Sequence, residues 1–129
     1  MYKLSKRSRE RLEGINTVLI DIIEKSIVNS PYDFGIPKYG GLRTAEDQKK
    51  LYDRGVSKCD GVKRKSYHQS GNAFDIYAYV NKKASWEKHH LESIARHIQQ
   101  IAKEHFNVSL RWGGDFKTFY DGPHFEIRT

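Results

Sequence analysis

From Ser66 to Asp75 the chain reads Ser-Tyr-His-Gln-Ser-Gly-Asn-Ala-Phe-Asp, and this stretch limits the possible folds more than any other. Gly71, between Ser70 and Asn72, has the chemistry of a turn. His68 therefore precedes a reversal, and Asp75 follows it on a strand entered at Ala73. A neutral imidazole and a carboxylate are both good zinc ligands, so the turn would bring two donors together. A catalytic zinc usually takes three protein ligands plus water, and His124 near the C-terminus offers the third. By itself, a histidine seven residues before an aspartate is more often an unrelated surface pair. The weight falls on its company.

In chain order, Ser5 caps a short helix that runs to Glu13 and is interrupted by Gly14. Asn16 or Thr17 opens a second helix, with Val18, Leu19, Ile22, Ile23 and Ile27 on one face and Pro31 as its stop. That stripe is most simply core. Residues 33–36 read as a short strand. Thr44, with Asp47 three residues on, opens a helix that reaches Arg54. Arg43 thus stands just before a helix start, where the dipole favours anions rather than cations. It is either a surface arginine or one half of an anion site shared with that helix end.

Residues 55–65 form a basic loop holding Cys59, a fourth-ligand candidate disfavoured because catalytic zinc keeps that position open. Residues 73–80 read as one strand, with Phe74, Ile76, Ala78 and Val80 on one side and Asp75, Tyr77 and Tyr79 on the other. The clearest helix is predicted from Ser85 to Phe106. Leu91, Ile94, Ala95, Ile98, Ile101 and Ala102 share its inner face, and Asn107 stops it. His89, His90, His97 and His105 lie off that stripe and are expected to face solvent, not to bind metal. Leu110-Arg111-Trp112 is a strand leading into the Gly113-Gly114-Asp115 turn. The Asp121-Gly122-Pro123 turn then opens a last strand, with Phe125 and Ile127 on one face and His124 and Glu126 on the other.

The 129 residues suit one domain with a core of its own, and residues 1–129 are read as a single catalytic domain. Hydrophobic residues are 37% and charged residues 30%, which excludes a disordered chain. No apolar run approaches the roughly 18 residues of a membrane span. The basic start has no apolar segment after it, so no secretory signal is expected. The lone Cys59 excludes an internal disulfide. A net charge of +7 favours an anionic partner such as nucleic acid, a lipid surface or an acidic wall polymer.

Together, His68, Asp75 and His124 make a two-histidine, one-carboxylate set, with Asp121 three residues before its last member. Such a set leaves a zinc ion with net positive charge, able to polarise a carbonyl and acidify water. A second carboxylate can take the water proton and return it to a leaving amine, and a fixed cation such as Arg43 can hold a developing oxyanion.

Ser66-x-His68-x-x-Gly71-x-Ala73-x-Asp75, followed by Asp121-x-x-His124, resembles the signature of the zinc peptidases that cut peptidoglycan peptides. That family includes D-alanyl-D-alanine carboxypeptidases and dipeptidases and the phage L-alanyl-D-glutamate endopeptidases. Gly41-Leu42-Arg43-Thr44 before a helix carrying Gln48, and Trp112-Gly113-Gly114-Asp115, resemble its endolysin branch. The resemblance implies a hedgehog/DD-peptidase-like α+β fold, a small antiparallel sheet carrying the site with helices packed against it. It implies one zinc per chain on His68, Asp75 and His124, with Asp121 as general base and Arg43 on substrate or oxyanion. It also implies substrate contacts from Ser66, Gln48 and Trp112. Phe116, where relatives often have tryptophan, would alter a cleft wall without touching a ligand.

Asp121 at the base position favours the endopeptidase branch, since the dipeptidases use glutamate, and the layout resembles endolysins of phages with Gram-negative hosts. The expected partner is then the peptidoglycan stem peptide, acted on by a monomer with no nucleic acid. The enzyme would be made in the host cytoplasm and reach the wall after release through a separate holin. The rival readings are a D-alanyl-D-alanine carboxypeptidase and a non-catalytic wall-binding or nucleic-acid-binding module. The latter fits poorly, because the aromatics are not interleaved with the basic clusters and Asp121 is present.

Overall fold

The computed structural model describes residues 1–128. Ser5 caps α1 (Lys6–Arg11) and Asn16 caps α2 (Thr17–Val28), each side-chain oxygen accepting a backbone N–H of the first turn. α3 (Ala45–Asp53) is capped the same way by Thr44, whose hydroxyl accepts from the Asp47 N–H. The long α4 (Lys88–Phe106) ends at Asn107, in the left-handed conformation usual for a helix stop.

The core lies where α2 meets α4. Leu19, Ile22, Ile23 and Ile27 face Leu91, Ile94, Ala95, Ile98 and Ala102, and all are buried. Each such aliphatic side chain contributes about 1.5–3 kcal/mol when fully withdrawn from water.

Two three-stranded antiparallel sheets complete the α+β fold. One orders β1 (Asp33–Gly35), β3 (Tyr77–Val80) and β4 (Lys83–Ser85) with β3 in the centre. The other orders β2 (Ala73–Asp75), β6 (His124–Glu126) and β5 (Arg111–Trp112) with β6 in the centre. Phe74 and Phe125, paired across the second sheet, stack with ring centroids 4.9 Å apart and planes 8° from parallel. The face they occupy is core. The opposite face is free to carry chemistry.

Three expectations are corrected. Residues 73–80 are two strands, because the chain changes sheets at Ile76. The Ile76 N–H donates to the Pro123 carbonyl, after which Tyr77 joins β1 while Asp75 stays opposite His124. The alternation read from sequence survives, with Phe74, Ile76 and Ala78 all buried. The last helix starts at Lys88, because Ser85 belongs to β4, which pairs with β3 through a turn at Asn81 and Lys82. Both turn residues have positive φ, the requirement of a two-residue hairpin whose usual glycine is missing here. His90 and His97 are also partly buried. The His97 Nε2–H donates to the Ser26 carbonyl of α2 at 2.7 Å, and His90 packs edge-on against Tyr32.

Candidate metal centre

The site is assembled from one turn and two strands. Ser66 caps a 3-10 turn at Tyr67–Ser70, its hydroxyl accepting from the His68 N–H while Gln69 Oε1 accepts from the Ser66 N–H. Gly71 then closes the turn at φ 77°, where a side chain would be strained. Register does the rest. Asp75 on β2 lies directly opposite His124 on β6, and opposed residues project from the same face.

The three side chains converge. His68 Nε2 is 3.1 Å from Asp75 Oδ1 and 3.2 Å from His124 Nδ1, and His124 Nδ1 is 3.2 Å from the same Asp75 oxygen. Three lone-pair atoms this close repel one another unless a cation or proton lies among them. Zinc bonds of about 2.0–2.1 Å in a tetrahedron set neighbouring ligand atoms about 3.3–3.4 Å apart, so the donor triangle suits that ion.

The electrostatics favour positive charge at the same place. Burial alone would raise the Asp75 carboxyl. The charge of His68 and hydrogen bonds from His124 and His68 overcome it and hold the group well below the usual carboxylate range. Burial would lower His124, yet its hydrogen bonds to the Asp75 and Glu126 carboxylates push it up to about 9. A pocket that holds a proton between two carboxylates meets the same demand a divalent cation makes.

Arg43 has a local partner after all. Its guanidinium donates to Asp75 Oδ2 at 3.1 Å, to Gln48 Oε1 at 3.1 Å and to the Tyr39 carbonyl at 2.8 Å. The helix start behind it does not explain its position; the Asp75 carboxylate does. Two of its five N–H groups remain for another contact. Gln48 and Trp112, which the resemblance implies as substrate contacts, both lie beneath the surface. Gln48 is fully buried, receiving Arg43 on its oxygen while its amide donates to Ser57 Oγ and the Cys59 carbonyl. Trp112 is buried too, its indole N–H donating to the Gly122 carbonyl beneath the loop that carries Asp121.

A cleft of about 880 Å³ lies over the triad, and Arg43, Ser66, Phe116 and Asp121 are among its walls. Phe116 is a neighbour of the ligand set, with its ring centroid 5.9 Å from that of His124. Burial raises the Asp121 carboxyl and negative Asp75 raises it further, against the pull of His124, His68 and Arg43. Its loop is held tightly to Gly113. The Asp121 N–H donates to the Gly113 carbonyl, and a Cβ on Gly113 would come within 2.2 Å of the Asp121 carbonyl.

The family model described as "Phage L-alanyl-D-glutamate peptidase" matches residues 1–128. The chain belongs to this family. It is 29% identical over 140 aligned positions to the L-alanyl-D-glutamate peptidase of Escherichia phage T5, covering 98% of each chain. It is 29% identical over 119 positions to the peptidoglycan L-alanyl-D-glutamate endopeptidase CwlK of Bacillus subtilis, covering 83% of this chain and 68% of that one. The crystal structure of the Serratia marcescens L-Ala D-Glu endopeptidase ChiX superposes with a TM-score of 0.85 at 30% identity, covering 98% of this chain and 90% of that one.

Two features of this family member escaped the sequence reading. Glu126 is buried with Oε1 2.8 Å from His124 Nε2, although its place beside His124 on one strand face was visible. Glu87, His89 and His90 also bring donor atoms within reach of one shared ion. Glu87 and His89 project into water there, and His90 Nδ1 already lies 2.7 Å from Ser85 Oγ. Cys59 is in neither donor group among the described residues.

Proposed function

We propose that this chain is a zinc peptidase that hydrolyses the L-alanyl-D-glutamate bond of peptidoglycan stem peptides, working as one catalytic domain. The observation that carries the reading is the donor triangle of His68, Asp75 and His124, in a cleft that also holds Asp121 and Arg43. The names of its relatives supply the bond.

His68, Asp75 and His124 would hold the zinc. Bound there, zinc supplies Lewis-acid polarisation of the peptide carbonyl and acidification of water. Asp121 accepts the proton of the attacking water and passes it to the departing amine, a task suited to a carboxyl whose pKa lies above its ordinary value. The free N–H groups of Arg43 face the carbonyl oxygen or a substrate carboxylate. Ser66 sets the turn that presents His68, and Trp112 and Gln48 brace the loops around the cleft.

The cleft volume lies toward the top of the roughly 300–1,000 Å³ typical of ligand pockets, which suits a peptide continuing past the cut. Lys38, Lys58, Arg64, Lys65 and Lys117 line it and favour an acidic substrate. No helix among the described residues is long and apolar enough to cross a membrane. Digestion of purified Gram-negative sacculi, with labelling of new amino groups, tests the bond. N-terminal D-glutamate is expected. Release of free D-alanine from intact sacculi would make the enzyme a carboxypeptidase instead.

A further inference from the structure

We infer that Glu126 is a positioning residue for the metal, fixing the tautomer of His124 so that Nδ1 rather than Nε2 faces the ion. The inference rests on the zinc reading above. A neutral imidazole carries one N–H and one lone pair, and only the nitrogen without the proton can be a ligand.

The two histidines solve this problem in opposite ways. His68 Nδ1 lies 2.9 Å from the Gly41 carbonyl oxygen. That oxygen can only accept, so Nδ1 donates, and in the neutral ring Nε2 is the nitrogen left to bind the ion. In His124 the nitrogen facing Asp75 and His68 is Nδ1. For Nδ1 to ligate the ion, the single proton of the neutral ring must reside on Nε2. The acceptor at Nε2 is Glu126 Oε1, 2.8 Å away.

Glu126 is built to stay there. Its side chain is only 5% exposed, Oε2 accepts from Arg128 Nε at 2.9 Å, and Arg111 lies 3.9 Å off on the neighbouring strand. A buried carboxylate is costly unless charged and hydrogen-bonded partners surround it, and here two guanidinium groups and an imidazole do. The spacing follows from strand geometry, since residues two apart share a face. Thus His124-Phe125-Glu126 delivers a ligand, a core residue and the ligand's orienter from one strand of three residues.

The alternative tautomer is a real competitor. With the proton on Nδ1, His124 would donate to Asp75 Oδ1 at 3.2 Å and close the coordination position. Glu126 offers the shorter bond on the other side of the ring and draws the proton there. Residues orienting a metal-bound histidine in this way typically change metal affinity 10–100-fold when removed.

The test measures zinc dissociation constants by competition with a chromophoric chelator for wild type, Glu126→Ala and Glu126→Gln. It also records two-bond ¹H–¹⁵N histidine spectra of the zinc-loaded wild type. Zinc binding is expected to weaken about 10–100-fold in Glu126→Ala. Glu126→Gln should recover most of it, because the amide oxygen can accept the same bond. The spectrum should show His124 protonated at Nε2 and metal-bound at Nδ1. Three results would each overturn the inference: an alanine variant within twofold of wild type, a glutamine variant as weak as alanine, or a wild-type spectrum with zinc on Nε2. The spectrum needs no variant, so it decides even if Glu126→Ala does not fold. A wild type that binds no zinc would overturn the metal reading itself, and a zinc-binding wild type unaffected by loss of Glu126 would overturn only this step.

Discussion

Arg43 and Asp75 are joined at 3.1 Å through Oδ2, the carboxylate oxygen that does not face the two imidazoles. One carboxylate thus does two tasks, Oδ1 completing the donor triangle and Oδ2 receiving the guanidinium. Arg43 in turn is fixed by Gln48 and the Tyr39 carbonyl, so the residue before α3 and the strand carrying Asp75 are tied into one unit.

Arg43→Ala should therefore lower kcat/KM and zinc affinity together, because it frees the ligand carboxylate as well as removing a cation from the cleft. Arg43→Lys keeps the charge but cannot span Asp75, Gln48 and Tyr39 at once, so its recovery should be incomplete. Steady-state kinetics with chelator titrations check both. Unchanged kcat/KM in Arg43→Ala would show the pair to be dispensable.

Zinc content should track the donor triangle. Elemental analysis of the purified protein is expected to give about one zinc per chain, reduced in His68→Ala and in His124→Ala, since each leaves only two protein ligands. Full retention in both variants would exclude this site.

Asp121→Asn preserves size and removes the proton acceptor. A zinc-loaded Asp121→Asn protein should lose roughly 10²–10⁴-fold in turnover with its metal retained, the usual scale for a general base. Near-wild-type turnover would assign the base elsewhere.

Gly113→Ala examines the loop rather than the ligands. Its Cβ would meet the Asp121 carbonyl at 2.2 Å and the Asp121 Cβ at 2.9 Å. Overpacking of this kind costs about 1–3 kcal/mol. The expected result is a lower thermal midpoint and a turnover loss larger than any change in zinc affinity, measured by calorimetry and kinetics. A variant unchanged in turnover would show that the position of Asp121 tolerates displacement.

Much of this molecule follows from local pattern. The stripes of α2 and α4 become a common core because a 3.6-residue period places Ile22 and Ile23, or Ile94 and Ile98, on one side whatever the helix meets. Likewise, alternation puts Asp75 across the backbone from Phe74, and His124 and Glu126 across from Phe125. The turn at Gly71 was legible because its neighbours and its lack of a side chain speak for themselves. Alternation alone, however, carries no information about which strand is the neighbour. Residues 73–80 keep one in–out rhythm while their hydrogen bonds pass from β6 to β1, and only the tertiary fold places that switch at Ile76.

The polar interior was decided the same way. Gln48 and Trp112 were expected at the cleft from the family resemblance, and no local pattern marks either as buried or exposed. What buries them are partners distant in sequence or around a turn: Arg43, Ser57 and Cys59 for Gln48, and the Gly122 carbonyl for Trp112. Burial of a polar group is favourable only when its hydrogen bonds are met, and whether they are met is a property of three-dimensional neighbours. The sequence by itself determined which residues could be donors and on which face of each strand they stand. The tertiary structure alone decided that three of those donors meet within 3.2 Å, with Arg43 behind Asp75 and Glu126 behind His124.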